Sequence, residues 1–235
     1  MARAVVVMGV ERLARVQRAV LLASAATVTV TAWVWLMQGH HVWHAGFGSA
    51  IAMWLAMTLA MMTPAALGWL FTFASLVRTA GAMCAFAAAY FAVWLGYSAV
   101  GAGLQWGLRG ILRDGGRLPP MAAGLVLIGA GAVHFAPLSQ SGLKHCRNPL
   151  TYFLMKWDNG PQSGFRIGLM HGAYCVGCCW ALMLTGFAMG LMNFVWMGVL
   201  TVLVCVEKLV PGGDRVAAAA AVGLMVWGLG MMLTR

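Results

Sequence analysis

The run GLMHGAYCVGCCWALMLTGFAM, residues 168–189, decides how this chain is built. It holds no Asp, Glu, Lys or Arg and has the length a helix needs to cross the hydrocarbon of a bilayer. Yet it carries one His and three Cys. At about 100° per residue, His171, Cys175, Cys178 and Cys179 fall within an arc of about 100°. Met183 borders that stripe one turn beyond Cys179, and Met189 returns to it further along. Reactive side chains are costly in lipid, so the stripe predicts an inward-facing functional site.

The rest of the chain repeats the apolar theme. Of 235 residues 62% are apolar and 9% charged, and the mean hydropathy is +0.85. Soluble chains lie far below that, so the expected fold is all-α, a polytopic transmembrane helix bundle. About seven spans can be drawn: Ala19–Met37, Ser49–Phe73, Ala82–Leu104, Met121–Leu138, Gly168–Met189, Phe194–Leu209 and Val216–Leu233. The sixth is short, so six spans with one re-entrant segment is the alternative. Residues 1–18 form a basic cytoplasmic segment and residues 19–235 a single transmembrane domain. A long polar lead and an equally long apolar core suit an uncleaved first span better than a removed signal peptide.

A net charge of +10 would suit nucleic acid if it were clustered, but the basic residues lie between the apolar runs, and nucleic-acid binding is set aside. They instead orient the chain in an inner (plasma) membrane, with lipid as its surroundings. The N-terminus and the loops on its side hold Arg3, Arg12, Arg15, Arg18, Arg78, Lys144, Arg147, Lys156, Arg166, Lys208 and Arg215. The other side holds Arg109, Arg113, Arg117 and Arg235. That imbalance places the N-terminus in the cytoplasm. In either orientation His134, the pair His145–Cys146, His171, Cys175 and Glu207 approach one membrane face.

Thiolates and imidazoles suit zinc, copper and iron–sulfur centres, and thiolate with thioether favours Cu(I). The primary candidate ligands are therefore Cys146, His171, Cys175, Cys178 and Cys179, with copper the first choice of ion and zinc the second. Cys146 lies in KHCRNP (144–149), read as a loop because Pro149 disfavours helix at Asn148. His134, His145, Glu207 and Met183 are secondary candidates, as ligands or as groups that orient one. Glu207 beside Lys208 also reads as an interfacial ion pair. His40, His41 and His44 in HHVWH (40–44) form a separate external candidate, or a membrane anchor beside Trp43. Cys and Met also serve as ordinary packing, which accounts for Cys84 and Cys205; the Met53, Met57, Met61 face reads first as packing, with a thioether path for Cu(I) as the alternative. Gly164, Gly168 and Gly172 recur every four residues and predict close helix packing. Pro64 should kink the second span and free a backbone carbonyl.

Five stretches together resemble a known group: MMTP (61–64), HCRNP (145–149), HGAYCVGCCWALM (171–183), MN (192–193) and EK (207–208). The chain resembles a bacterial and archaeal family of predicted metal-binding integral membrane proteins of unknown function, from roughly residue 45 to residue 213. Similar proteins usually carry YQLTPLK and a further Cys before HCRNP. Here HFAPLSQSGLK (134–144) stands instead, which removes one thiol and makes His134 a candidate substitute. The resemblance implies metal binding in a membrane helix bundle.

These features support a copper-favouring membrane protein for metal handling or delivery. With so little chain outside the spans, it suits an accessory subunit of a larger membrane metalloenzyme. The alternative is an intramembrane thiol–disulfide oxidoreductase using Cys175, Cys178 and a loop cysteine. There is no nucleotide motif and no nucleophile elbow, so the balance leans away from an enzyme.

Overall fold

A computed structural model describes residues 2–38, 46–77, 79–113, 116–149, 161–191 and 193–233, with side chains from Arg15 onward. The fold is all-α. Its helices are α1 (Ala2–Gln38), α2 (Phe47–Ala65), α3 (Leu67–Leu76), α4 (Ala80–Leu108) and α5 (Pro120–His134). They continue with α6 (Pro137–Arg147), α7 (Pro161–Leu184), α8 (Gly186–Met189), α9 (Phe194–Leu209) and α10 (Gly213–Leu233).

Among the described residues five stretches are long and apolar enough to cross a membrane: Arg15–Gln38, Phe47–Ala65, Ala80–Leu108, Pro161–Met189 and Gly213–Leu233. The pair α5 and α6 makes a sixth if taken as one span, bent by 60°. Among the described residues the count is thus five or six, which fits the six-span alternative better than the expected seven. The fourth stops at His134, because Pro137 opens a new helix and Ala136 before it is extended. The sixth is the 16-residue α9, about 24 Å at the helical rise, which falls short of the bilayer core. The second divides at Ala66, just beyond Pro64, which has no N–H to give the preceding turn. The basic N-terminal residues are helical from Ala2 and continuous with the first span.

Small residues set how the helices meet. A Cβ at Gly164 or Gly168 would strike the carbonyl oxygens of Ala82 and Phe86, and one at Gly172 would lie 2.9 Å from Val93. The expected ladder is therefore the seam between α7 and α4. A second seam joins α5 to α10, where Gly124 faces Gly228 and Gly131 faces Ala221. Without a hydrophobic drive between helices in lipid, such close backbone contact supplies the van der Waals attraction that holds them. Apolar side chains such as Val195, Val202 and Val226 cover the outside, while one core gathers the α2 methionines and the cysteines of α6 and α7.

Candidate functional site

The polar stripe of α7 does turn inward. His171, Cys175, Cys178, Cys179 and Met183 are all buried. The α7 backbone runs through them as continuous α-helix, so the four donors stand on one wall, and three other elements close around it.

The first of these is α6. Lys144–Arg147 form its last turn rather than a loop, and the helix ends at Asn148, before Pro149. Ser139, Gly142, Leu143 and Cys146 make its buried face. Gly142 lets α6 settle directly on the ligand-bearing wall: a Cβ there would lie 2.7 Å from the Tyr174 carbonyl oxygen and 3.2 Å from Cys178 Cβ. Ser139 Oγ donates to the Cys178 carbonyl at 3.2 Å. This seats the buried Cys146 thiol next to those of Cys175 and Cys178 in one core. All six cysteines are free thiols, and the two outside this cluster, Cys84 and Cys205, are less buried.

The second element is the aromatic wall from α3 and α4. Trp69 donates its indole N–H to the Cys146 carbonyl at 2.9 Å. Its ring stacks on His171 at 4.1 Å and on His145 at 4.8 Å between centroids. His145 also stacks on Tyr174. Tyr90 lies parallel to His171 on another side and places its hydroxyl 3.4 Å from Cys175 Sγ. Stacking fixes the plane of the His171 ring, but both of its nitrogens are buried without a hydrogen-bond partner. A buried polar atom left so costs about 1–3 kcal/mol, which coordination or proton transfer to a bound species would recover.

The third element is the end of α9. Arg147 Nη1 donates to the Glu207 carbonyl at 2.9 Å and Nη2 to the Val210 carbonyl at 3.2 Å. Arg147 also pairs with Asp214 at 3.3 Å. A cation at a helix C-terminus satisfies carbonyls that lack intrahelical partners. Arg147 thus pins α9 to α6 instead of reaching for headgroups, and it carries two buried charged residues into the bundle. Lys208 Nζ donates to Cys175 Sγ at 3.0 Å and is only 7% exposed. Glu207 Oε1 lies 3.6 Å from His134 Nδ1, an ionic rather than a hydrogen-bonding distance, and its Oε2 has no partner. The expected surface pair of Glu207 with Lys208 gives way to two separate inward contacts.

Cys175 is the hub. It accepts from Lys208, and its sulfur is also in range of Cys146, Cys178 and Cys179. An ammonium donates and cannot accept, so the Cys175 sulfur is the acceptor in this contact. Cys178 and Cys179 instead turn their thiols to the Cys175 carbonyl, at 3.1 and 2.8 Å. Cys179 Sγ also lies 3.8 Å from Met62 Sδ on α2. Among the described residues no group of three or more His, Cys, Asp or Glu is set to hold a metal ion. The donor chemistry nevertheless fits a soft monovalent ion, because Cu(I) is satisfied by few sulfur ligands whereas structural zinc takes four.

Of the residues expected from sequence, Cys146, Cys175, Cys178 and Cys179 are brought together, and His145 and His171 share the Trp69 stack. His134 and Glu207 pair with each other, and Met183 is buried in the same core. His40, His41 and His44 lie outside the described residues. Met62, Trp69, Tyr90 and Lys208 join the site without having been singled out for it. Lys208 had a legible signal, a cation beside one of five acids at the end of an apolar run, and so had Met62, which lies in the MMTP stretch.

Residues 51–231 match the PpoB2 family, described as copper chaperone. No curated protein and no solved structure matches the chain. The match covers well over half of the 235 residues, and the chain belongs to this copper chaperone family.

Proposed function

We propose, from that membership, that this protein takes up Cu(I) inside a multi-pass helix bundle in the plasma membrane, with its N-terminus in the cytoplasm, and hands the ion on. Copper is its cargo. Cys175 and Cys146 would hold the ion, with Cys178, Cys179 and His171 beside them as exchange ligands; His134, His145, Glu207 and Met183 support the pocket. The single observation that carries this reading is the meeting of Cys146 from α6 with Cys175 and Cys178 from α7, away from lipid.

The residues supply the chemistry of transfer as well as of capture. Neighbouring thiols allow stepwise ligand exchange, in which one sulfur leaves as another arrives. Met62 beside Cys179 extends the run of sulfur toward α2. A recipient, read here as a larger membrane metalloenzyme that this chain serves as an accessory subunit, would accept the ion from that run.

Elemental analysis of protein extracted from its own membrane tests the proposal. Wild type should retain copper, and the double variant Cys146→Ser/Cys175→Ser should lose most of it. Equal metal in both would end the reading. The closeness of Cys146 to Cys175 also suits disulfide exchange. Thiol trapping separates the two, because a redox enzyme cycles through a disulfide whereas a copper clamp keeps free thiols that the bound ion shields.

A further inference from the structure

Lys208 is the feature that copper capture alone leaves unexplained. It is buried, its ammonium reaches one of the sulfurs at the centre of the cluster, and it is carried there by a helix end that Arg147 holds in place. A lysine in a low-dielectric interior is costly unless a counter-charge meets it. Among the described residues no carboxylate does so: Glu207, its chain neighbour, turns to His134, and Asp214 pairs with Arg147. Cys175 supplies the partner instead.

We infer that Lys208 selects the charge of the ion this site accepts. The inference rests on the copper reading above and deepens it. Two thiolates carry two negative charges; a monovalent copper ion and the Lys208 ammonium together cancel them. A divalent ion in the same place would leave one positive charge uncompensated inside the bundle. Two thiolates with a divalent ion and no lysine would, by contrast, be neutral. Lys208 therefore acts as a repulsive element against zinc and other divalent ions, and as the compensating cation for Cu(I). Specificity of this kind needs the term that penalises the wrong partner, not only the ligands that attract the right one. Lys208 makes no bond to the metal in this account. It is a positioning and specificity residue that acts through Cys175.

The test compares wild type, Lys208→Met and Lys208→Arg, each purified in mild detergent with intact helicity. Cu(I) is titrated anaerobically against a chromogenic chelator, and Zn2+ is titrated separately in the same way. Lys208→Met should bind Cu(I) about tenfold or more weakly and Zn2+ no less tightly, so the Cu(I)-to-Zn2+ preference falls by at least about tenfold. Lys208→Arg, which keeps the charge, should retain the preference to within about threefold. A loss of packing alone would weaken both ions together and leave their ratio alone. An unchanged ratio in Lys208→Met, with wild type binding copper, overturns the charge assignment and spares the copper reading. A wild type that takes no Cu(I) overturns both. Should Lys208→Met fail to fold, Lys208→Gln keeps a donor without the charge and is judged by the same ratio.

Discussion

Two glycine seams run among the described residues, and they bury different kinds of side chain. At the α5–α10 seam, Gly124 meets Gly228 and Gly131 meets Ala221, and the contact is backbone against backbone with apolar side chains around it. At the α4–α7–α6 seam the same device brings Gly164, Gly168 and Gly172 onto α4, and Gly142 onto Cys178. Here the buried face includes thiols, an imidazole and, from α9, an ammonium. Close packing is thus a general means of holding helices together in lipid. At the second seam it also buries residues with lone pairs to offer, beside a charge supplied by a neighbouring helix.

The strongest way to break the comparison is to remove the hub. Cys175→Ser should abolish stable copper retention, because the sulfur that meets Lys208 and the other thiols is replaced by a hard oxygen. Cys84→Ser, at an exposed thiol, should leave copper content unchanged. Metal analysis of the two variants side by side checks both statements; comparable losses would mean that buried and exposed sulfur are equivalent here.

A paired substitution sharpens the contrast between the seams. Gly142→Leu and Gly131→Leu both force a side chain into occupied space, and overpacking of this sort costs about 1–3 kcal/mol. Both should lower thermal stability. Only Gly142→Leu should also reduce copper binding by the folded protein, because it lifts Cys146 off Cys178. If Gly131→Leu reduces copper equally, the two seams are one functional unit and the distinction drawn above fails.

The smallest effect concerns the aromatic wall. Trp69→Phe keeps a ring to stack on His171 but removes the donor to the Cys146 carbonyl. Leaving that carbonyl unpaired should cost about 1–3 kcal/mol of stability, read from thermal unfolding. Copper affinity should fall by less than in Gly142→Leu, since α6 itself stays seated.

Much of this was written into residues 164–189. Their apolar length announced a membrane helix, the Gly spacing announced its close approach to a neighbour, and the stripe of His171, Cys175, Cys178 and Cys179 announced which face would turn inward. The arrival of Cys146 at the same end was legible from the order of the spans. Element boundaries were not. KHCRNP looks like a loop because of its charge and Pro149, but Pro137 starts a helix that runs through it to Arg147. The short α9 and the bent α5–α6 pair reduced the span count for a related reason: apolar composition alone does not report where a helix turns.

Periodicity and composition therefore determined the class of the fold, the inward face of α7 and the sulfur chemistry on it, since these follow from residues close together in sequence. Tertiary structure alone decided that Lys208 leaves its neighbour Glu207 for Cys175, that Arg147 grips the end of α9, and that Trp69 stacks on His145 and His171. Each of these contacts joins helices far apart in the chain. The choice among possible partners was settled by how to bury charge and imidazole in a low-dielectric bundle, a cost that depends on every element packed around them.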